Sequence, residues 1–395
     1  MASTFSWLDH SDRERRKVLE ALDRFKESDT RDELGLASIR DGFADLFFPG
    51  TSVLMTRARY FLFVPWHYQT IASKRFTDVD AAVRNEELRL IHALGDSKGN
   101  IGKEAKGTLQ RTPSSIYWNG LGQWGVRTRD LSQSELHEHL AQEDSARHGE
   151  LSVDDDGEPL GVGARAVWDA RLPPKPEGFP KTAELALTND EAAYLRERIR
   201  GYRRYTLLAW LLEPGHLAEA DFAWMHPRVG ELPIALRCDL EHARRFAETM
   251  QGAALLYNLM LARAAKSEDK VAQFEGALSG WGEELAPRSR DFAEWDRAQF
   301  WARVGDIASV GEPTRQFVNH WYELRLWDKP GEAATDKAAD GLIRTRERAL
   351  KGPRARLHNT RALELWGGSS GAARLTYRWP TAYTLAKDIV EALHA

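Results

Sequence analysis

Thr56-Arg57-Ala58-Arg59-Tyr60-Phe61-Leu62-Phe63-Val64-Pro65-Trp66 is the stretch whose reading decides the fold. It is apolar almost all round, so it belongs in a core rather than on a surface. Its length suits a buried helix, but periodicity alone cannot separate a short buried helix from a buried strand. The run Tyr60 to Trp66 is far too short to cross a bilayer. Arg57 and Arg59 stand beside it, and a guanidinium held next to so apolar a run needs a carboxylate partner. Asp41 and Asp45 are the nearest candidates in sequence.

Outward from this stretch, helical signals dominate. Ser11 and Glu14 form a capping-box pattern, followed by Val18, Leu19, Leu22 and Phe25 on one face. Ile39, Phe43, Leu46 and Phe47 mark a second helix, stopped by Pro49 and Gly50. Another runs from about Val79 to Leu94, and Lys103 to Gln110 suits a short one. Thr112 and Pro113 occupy the N-cap and first-turn positions of a helix bearing Ile116, Tyr117, Leu121 and Trp124. Thr188 and Glu191 form a further capping box, before a long helical segment containing Tyr194, Leu195, Ile199 and Tyr202. Leu240 to Met260, Trp295 to Val304 and Phe317 to Leu324 continue the pattern. Arg374 to Trp379 alternates like a strand, and Pro380 opens a last helix.

The expected fold is therefore mainly α and multi-helical, with little β structure. The expected organisation is an N-terminal helical domain over 1–130, an irregular connection over 131–183 and a C-terminal helical domain over 184–395. The connection is read from the acidic triplet Asp154 to Asp156 and from the crowded Pro173, Pro174, Pro176 and Pro180.

Composition narrows the function classes. Of 395 residues, 42% are hydrophobic, which speaks against disorder throughout. The 14 tryptophans must each find a deep apolar slot or a flat ligand to stack on. The formal net charge of -4 does not suit a globally basic nucleic-acid binder, though it leaves room for a local basic face. Cys238 is the single cysteine, so cysteine-rich zinc modules and internal disulfides are excluded. The first residues lack the apolar core of a secretory signal, which makes the cytoplasm the expected location.

No catalytic or cofactor motif is legible. Gly99 to Glu104 imitates a phosphate loop, but Ser97 stands where the first glycine belongs and Glu104 where the hydroxyl belongs. Asp96, Glu104 and Lys106 have the letters of a metal-dependent nuclease, without an apolar strand to carry them. His137 and His139 are spaced two apart and splay on a helix, where a zinc pair needs three or four.

Two basic constellations carry more weight. Val79 to Arg129 can be arranged as a winged-helix-like element. Lys103, Lys106, Arg111, Arg127 and Arg129 would then meet phosphates, and Ser114, Ser115 and Asn119 would meet base edges. The competing reading is plain helical core, because Ile116, Tyr117, Trp118, Leu121 and Trp124 leave that helix little polar face. The second constellation is Arg344, Arg346, Arg348, Arg354 and Arg356, with Lys351 and Arg361. It reads as an electrostatic footprint or as a solvated helix.

Several motifs carry a family likeness: Ser6-Trp7-Leu8-Asp9, Asp29-Thr30-Arg31-Asp32-Glu33-Leu34-Gly35, Phe48-Pro49-Gly50-Thr51-Ser52, Thr56-Arg57-Ala58-Arg59-Tyr60-Phe61 and Pro113-Ser114-Ser115-Ile116-Tyr117-Trp118. On them the chain resembles an uncharacterised bacterial family, catalogued only as a domain of unknown function. The likeness is sharpest over residues 5–127 and returns more loosely over 357–379. The resemblance implies company with helicases and phospholipase-D-like proteins in loci that look like anti-phage defence islands. The expected function is a non-enzymatic accessory subunit of such a complex, binding DNA, a partner protein or both. A divergent metal-dependent nuclease and a ligand sensor with an aromatic pocket are the alternatives.

Overall fold

Tyr60 to Trp66 is helical, which settles the choice between helix and strand. A computed structural model describes residues 32–104, 109, 111–147, 167–329 and 332–395. The helix expected from Ser11 onward, Trp7, Lys106 and the Asp154 to Asp156 triplet lie outside the described residues, as does most of the helix expected from Lys103.

The described elements are helices: α1 (Ala37–Phe47), α2 (Tyr60–Ala72), α3 (Val79–Leu94), α4 (Pro113–Gln123), α5 (Gln133–Arg147), α6 (Asn189–Arg203), α7 (Leu207–Leu211), α8 (Ile234–Ala264), α9 (Glu268–Leu285), α10 (Ser289–Ala293), α11 (Arg297–Ile307), α12 (Glu312–Glu323), α13 (Lys337–Lys351), α14 (Thr360–Glu364) and α15 (Trp379–His394). Among the described residues the only extended pairing is one antiparallel bridge, Arg127 with Trp168. The protein is mainly α. Among the same residues, no helix is long and apolar enough to cross a membrane.

The chain forms two units. One takes the residues as far as Phe43 together with Glu241–Leu375; the other takes Ala44–Leu240 with Thr376–Ala395.

In the second unit, α2 is buried on every side from Tyr60 through Tyr68. It carries no side-chain cap of its own. Asp388 of α15 instead fixes the turn just before it, accepting the Ala58 N–H at 2.8 Å. The helix packs on α4 through aromatic faces. Phe61 stacks on Trp124 with centroids 3.7 Å apart, and Tyr60 lies 5.2 Å from Tyr117. Such pairs add about 1 kcal/mol each beyond simple burial. Trp124 is fully buried because its indole N–H finds the Pro49 carbonyl at 2.9 Å. Gly120 lets α4 approach, since a Cβ there would collide with the Gly50 carbonyl and the Phe61 ring.

α4 starts as its sequence dictates. Thr112 accepts from the Ser115 N–H, and Pro113 fills the first turn. The Tyr117 hydroxyl donates to the Arg57 carbonyl at 2.8 Å and accepts from the amides of Thr56 and Arg57. The Ile116-Tyr117-Trp118 stretch thus clamps the turn before α2. α6 begins with the complete Thr188/Glu191 capping box and packs along α15.

Arg374 to Trp379 is not a strand. Tyr377 and Arg378 take left-handed φ values of 51° and 67°, which turn the chain into α15. Alternation there reflects two buried aromatics, Tyr377 and Trp379, flanking a turn.

In the first unit tryptophans again join helices, here α9 and α12 to α8. The indole N–H of Trp281 reaches the Glu248 carbonyl, and that of Trp321 the Thr249 carbonyl. The Asp32-Glu33-Leu34-Gly35 segment is tied down residue by residue. Asp32 accepts the amides of Leu36 and Ala37. Glu33 accepts from Lys351 and from Arg356, the latter at 2.8 Å. The carbonyls of Leu34 and Gly35 accept from Arg346.

Candidate functional site

The basic run over 344–361 divides by direction. Arg346 is 5% exposed, donates to Leu34, Gly35 and Thr314, and covers the Phe317 ring at 5.2 Å. It is a structural strut and has no free face for a phosphate. Arg356 is turned to Glu33 and to the Ser370 hydroxyl. Arg344 pairs with Asp340 one turn back. Arg348, Arg354 and Arg361 remain exposed. The inward turn has a cause: Glu33 and Glu347 are nearly closed off from water, and buried carboxylates require cations or amides. Glu347 is met by the amides of Arg356 and Leu357 and by the Tyr257 hydroxyl at 2.6 Å.

In the second unit the proposed phosphate contacts also separate. Lys103 lies 3.8 Å from Glu104 on open surface, and Arg111 is exposed. Of the candidate base readers, Ser114 is 2% exposed and its amide binds Glu87, so it cannot reach a base edge. The Ser115 hydroxyl donates to Thr112, while Asn119 is exposed. Arg127 lies over the Trp118 ring at 5.1 Å and donates to the Arg129 carbonyl; Arg129 itself is exposed.

The segment Gly122 to Gly125 touches Arg127 at Gly122 and, at Gln123 and Gly125, a second basic group that the sequence reading missed. A Cβ on Gly122 would collide with the Arg127 guanidinium, and one on Gly125 with the Tyr202 ring and Arg198. Arg203 donates to the Gln123 carbonyl at 2.8 Å and to its side chain. Arg198, 3% exposed, is paired with Asp169 and lies 4.6 Å from the Tyr202 ring. Tyr202 is nevertheless 53% exposed, and Tyr205 is 81% exposed with Arg204 over it at 4.7 Å. Tyr202 therefore does not point into the core. The legible signal was Arg200-Gly201-Tyr202-Arg203-Arg204-Tyr205, where cations and aromatics interleave. The C-terminal ends of α4 and α6 lie at this face, and their partial negative charge favours cations there.

Also in this unit, Arg59, Phe63, Trp66, Phe179 and the segment from Thr182 to Thr188 line a cavity of about 260 Å³. Arg59 is 8% exposed and pairs with Glu191 of α6 at 2.7 Å, not with Asp41 or Asp45. Arg57 finds Asp388 instead.

The His137 side chain is only 12% exposed. Its Nε2 meets the Tyr68 hydroxyl at 2.9 Å and its Nδ1 meets Asp80 at 2.6 Å. Asp96 and Glu104 are both exposed. Among the described residues, no group of three His, Cys, Asp or Glu side chains is placed to hold a metal ion.

The chain belongs to a family of unknown function, DUF6361, whose model matches residues 2–392. No curated protein and no solved structure matches it.

Proposed function

We propose that this family member is an accessory subunit that contacts nucleic acid through the face formed by Arg127, Arg129, Tyr202, Arg203, Arg204 and Tyr205. The observation that supports it is the pairing of an arginine with each of two exposed tyrosines three positions apart, Arg198 with Tyr202 and Arg204 with Tyr205. Unpaired bases stack on such rings, while guanidinium groups follow the phosphates, and neither contact requires a particular sequence. A single strand suits this arrangement better than a duplex. The face offers flat rings but no helix with a free polar side to enter a groove, α4 being held in the core by Tyr117, Leu121 and Trp124.

Its working context is a multi-protein anti-phage defence complex, with a helicase or a phospholipase-D-like protein as partner. The family resemblance supports that assignment.

Fluorescence anisotropy with a labelled DNA strand of about 15 nucleotides tests the face. Affinity should fall steeply with salt. Joint replacement Arg129→Ala, Arg204→Ala and Tyr205→Ala should weaken binding by at least about tenfold and flatten the salt slope. Arg348→Ala, Arg354→Ala and Arg361→Ala together should leave it unchanged. The reverse pattern, or no binding at low salt, would discard the face. Co-purification with the products of adjacent reading frames tests the accessory role.

A further inference from the structure

An exposed carboxylate dictates the direction of a hydrogen-bond chain that crosses four helices of the second unit. Asp80, on α3, lies 2.6 Å from His137 Nδ1 on α5. An ionised carboxylate can only accept, so Nδ1 carries a proton. In a neutral ring Nε2 is then an acceptor, and it lies 2.9 Å from the Tyr68 hydroxyl of α2. Tyr68 is 1% exposed, and Nε2 is the one acceptor its hydroxyl meets among the described residues, so it donates there. Its oxygen accepts in return from Gln133 Nε2 at 2.9 Å, and the same amide nitrogen donates to the Ser114 hydroxyl of α4 at 2.7 Å. The orientation of the Gln133 amide thus follows from Asp80, one forced step at a time. At the inner end, the Ser114 hydroxyl stands 3.0 Å from that of Thr112, the N-cap of α4, and the Ser114 amide binds Glu87.

A second proton on His137 reverses every step. Nε2 becomes a donor, and Tyr68 has to accept from it. The Tyr68 proton must then turn to Gln133, where only the carbonyl oxygen can receive it, so the amide turns over. Gln133 Oε1 has no hydrogen-bond partner among the described residues, so nothing on that side holds the amide in its first orientation. Ser114 now donates to Oε1 where it had accepted from Nε2, and Thr112 must supply the proton for the bond between the two hydroxyls. The phenol passes on polarity and not a proton, because burial holds the Tyr68 pKa well above its ordinary value. A chain reversed only part of the way would leave a buried donor unmatched, at about 1–3 kcal/mol, which favours two complete states over mixtures. The charged groups facing the chain are Asp80 and Glu87, both carboxylates of α3.

We propose that His137, Tyr68, Gln133 and Ser114 form a two-state pH switch, in which protonation of His137 turns over the Gln133 amide and reverses the hydrogen bonding at the start of α4. Its outer end is open to bulk protons, Asp80 being 80% exposed, while Ser114 at its inner end is 2% exposed.

Nitrogen-15 NMR of the full chain tests the switch between about pH 5 and 8, the range in which histidine side chains titrate. At the alkaline end the neutral His137 ring should be the Nδ1–H tautomer. On acidification the Gln133 side-chain amide signals should shift with the same midpoint as His137. Their exchange with water should quicken at least about fivefold as the protons leave Tyr68 and Ser114. Tyr68→Phe keeps the buried ring and cuts the chain: His137 should still titrate while the Gln133 signals no longer follow. His137→Gln reads the same link from the surface end, and should leave the Gln133 signals independent of pH. An Nε2–H tautomer at the alkaline end, Gln133 signals that ignore pH in the parent chain, or signals that still follow it in either variant would overturn the switch.

Discussion

Asp388 accepts two bonds from Arg57 Nε, at 2.9 and 3.0 Å, across 331 positions of sequence, while capping the Ala58 amide. One carboxylate near the C-terminus thereby holds the turn that leads into α2. Burial holds its pKa above the ordinary carboxylate value despite the arginine beside it.

Asp388→Ala should cost about 3 kcal/mol in urea unfolding, since it strands a half-buried guanidinium and an amide together. Asp388→Asn keeps an acceptor for Ala58 and should cost about 1–2 kcal/mol. Equal losses for the two variants would show that the cap contributes nothing.

His67 makes stability depend on pH. It is 3% exposed, and both ring nitrogens lack partners among the described residues. Burial pulls its pKa from 6.5 down to about 4. As pH falls below about 6.5, the unfolded chain takes up a proton that the folded chain refuses. Stability therefore drops between about pH 6.5 and 4, by about 3 kcal/mol in all. His67→Phe should remove that part of the slope, measured as the difference between variant and parent urea midpoints across the window. Parallel profiles would refute the assignment.

Gly125 is required by its backbone and by its neighbours. Its φ is +69°, and a side chain would meet Tyr202 and Arg198. Gly125→Ala should cost about 2 kcal/mol or more. By displacing Tyr202 it should also weaken oligonucleotide binding at low salt. A stable variant with full affinity would mean that Tyr202 is not held in place by this contact.

Arg346 and Arg348 are two positions apart on α13 and should behave oppositely. Arg346→Ala leaves the Leu34 carbonyl without its donor and opens a gap against Phe317, at about 3 kcal/mol. Arg348→Ala, on the exposed face, should stay within about 0.5 kcal/mol. Comparable unfolding midpoints for the two would contradict the inward placement of Arg346.

Helix starts were legible because they are local. Thr112 with Ser115, and Thr188 with Glu191, satisfy amides three residues away, so residue type and spacing suffice. The mainly helical class follows from the same short-range signals. Only the folded chain decided which cations face water. Arg346 is buried because Leu34, 312 positions earlier, presents a carbonyl to it. Tyr202 stays 53% exposed because its ring rests against Gly125 and the Arg198 guanidinium rather than in the core. A cap is settled within one helical turn, whereas burying a charge depends on partners that sequence distance does not reveal.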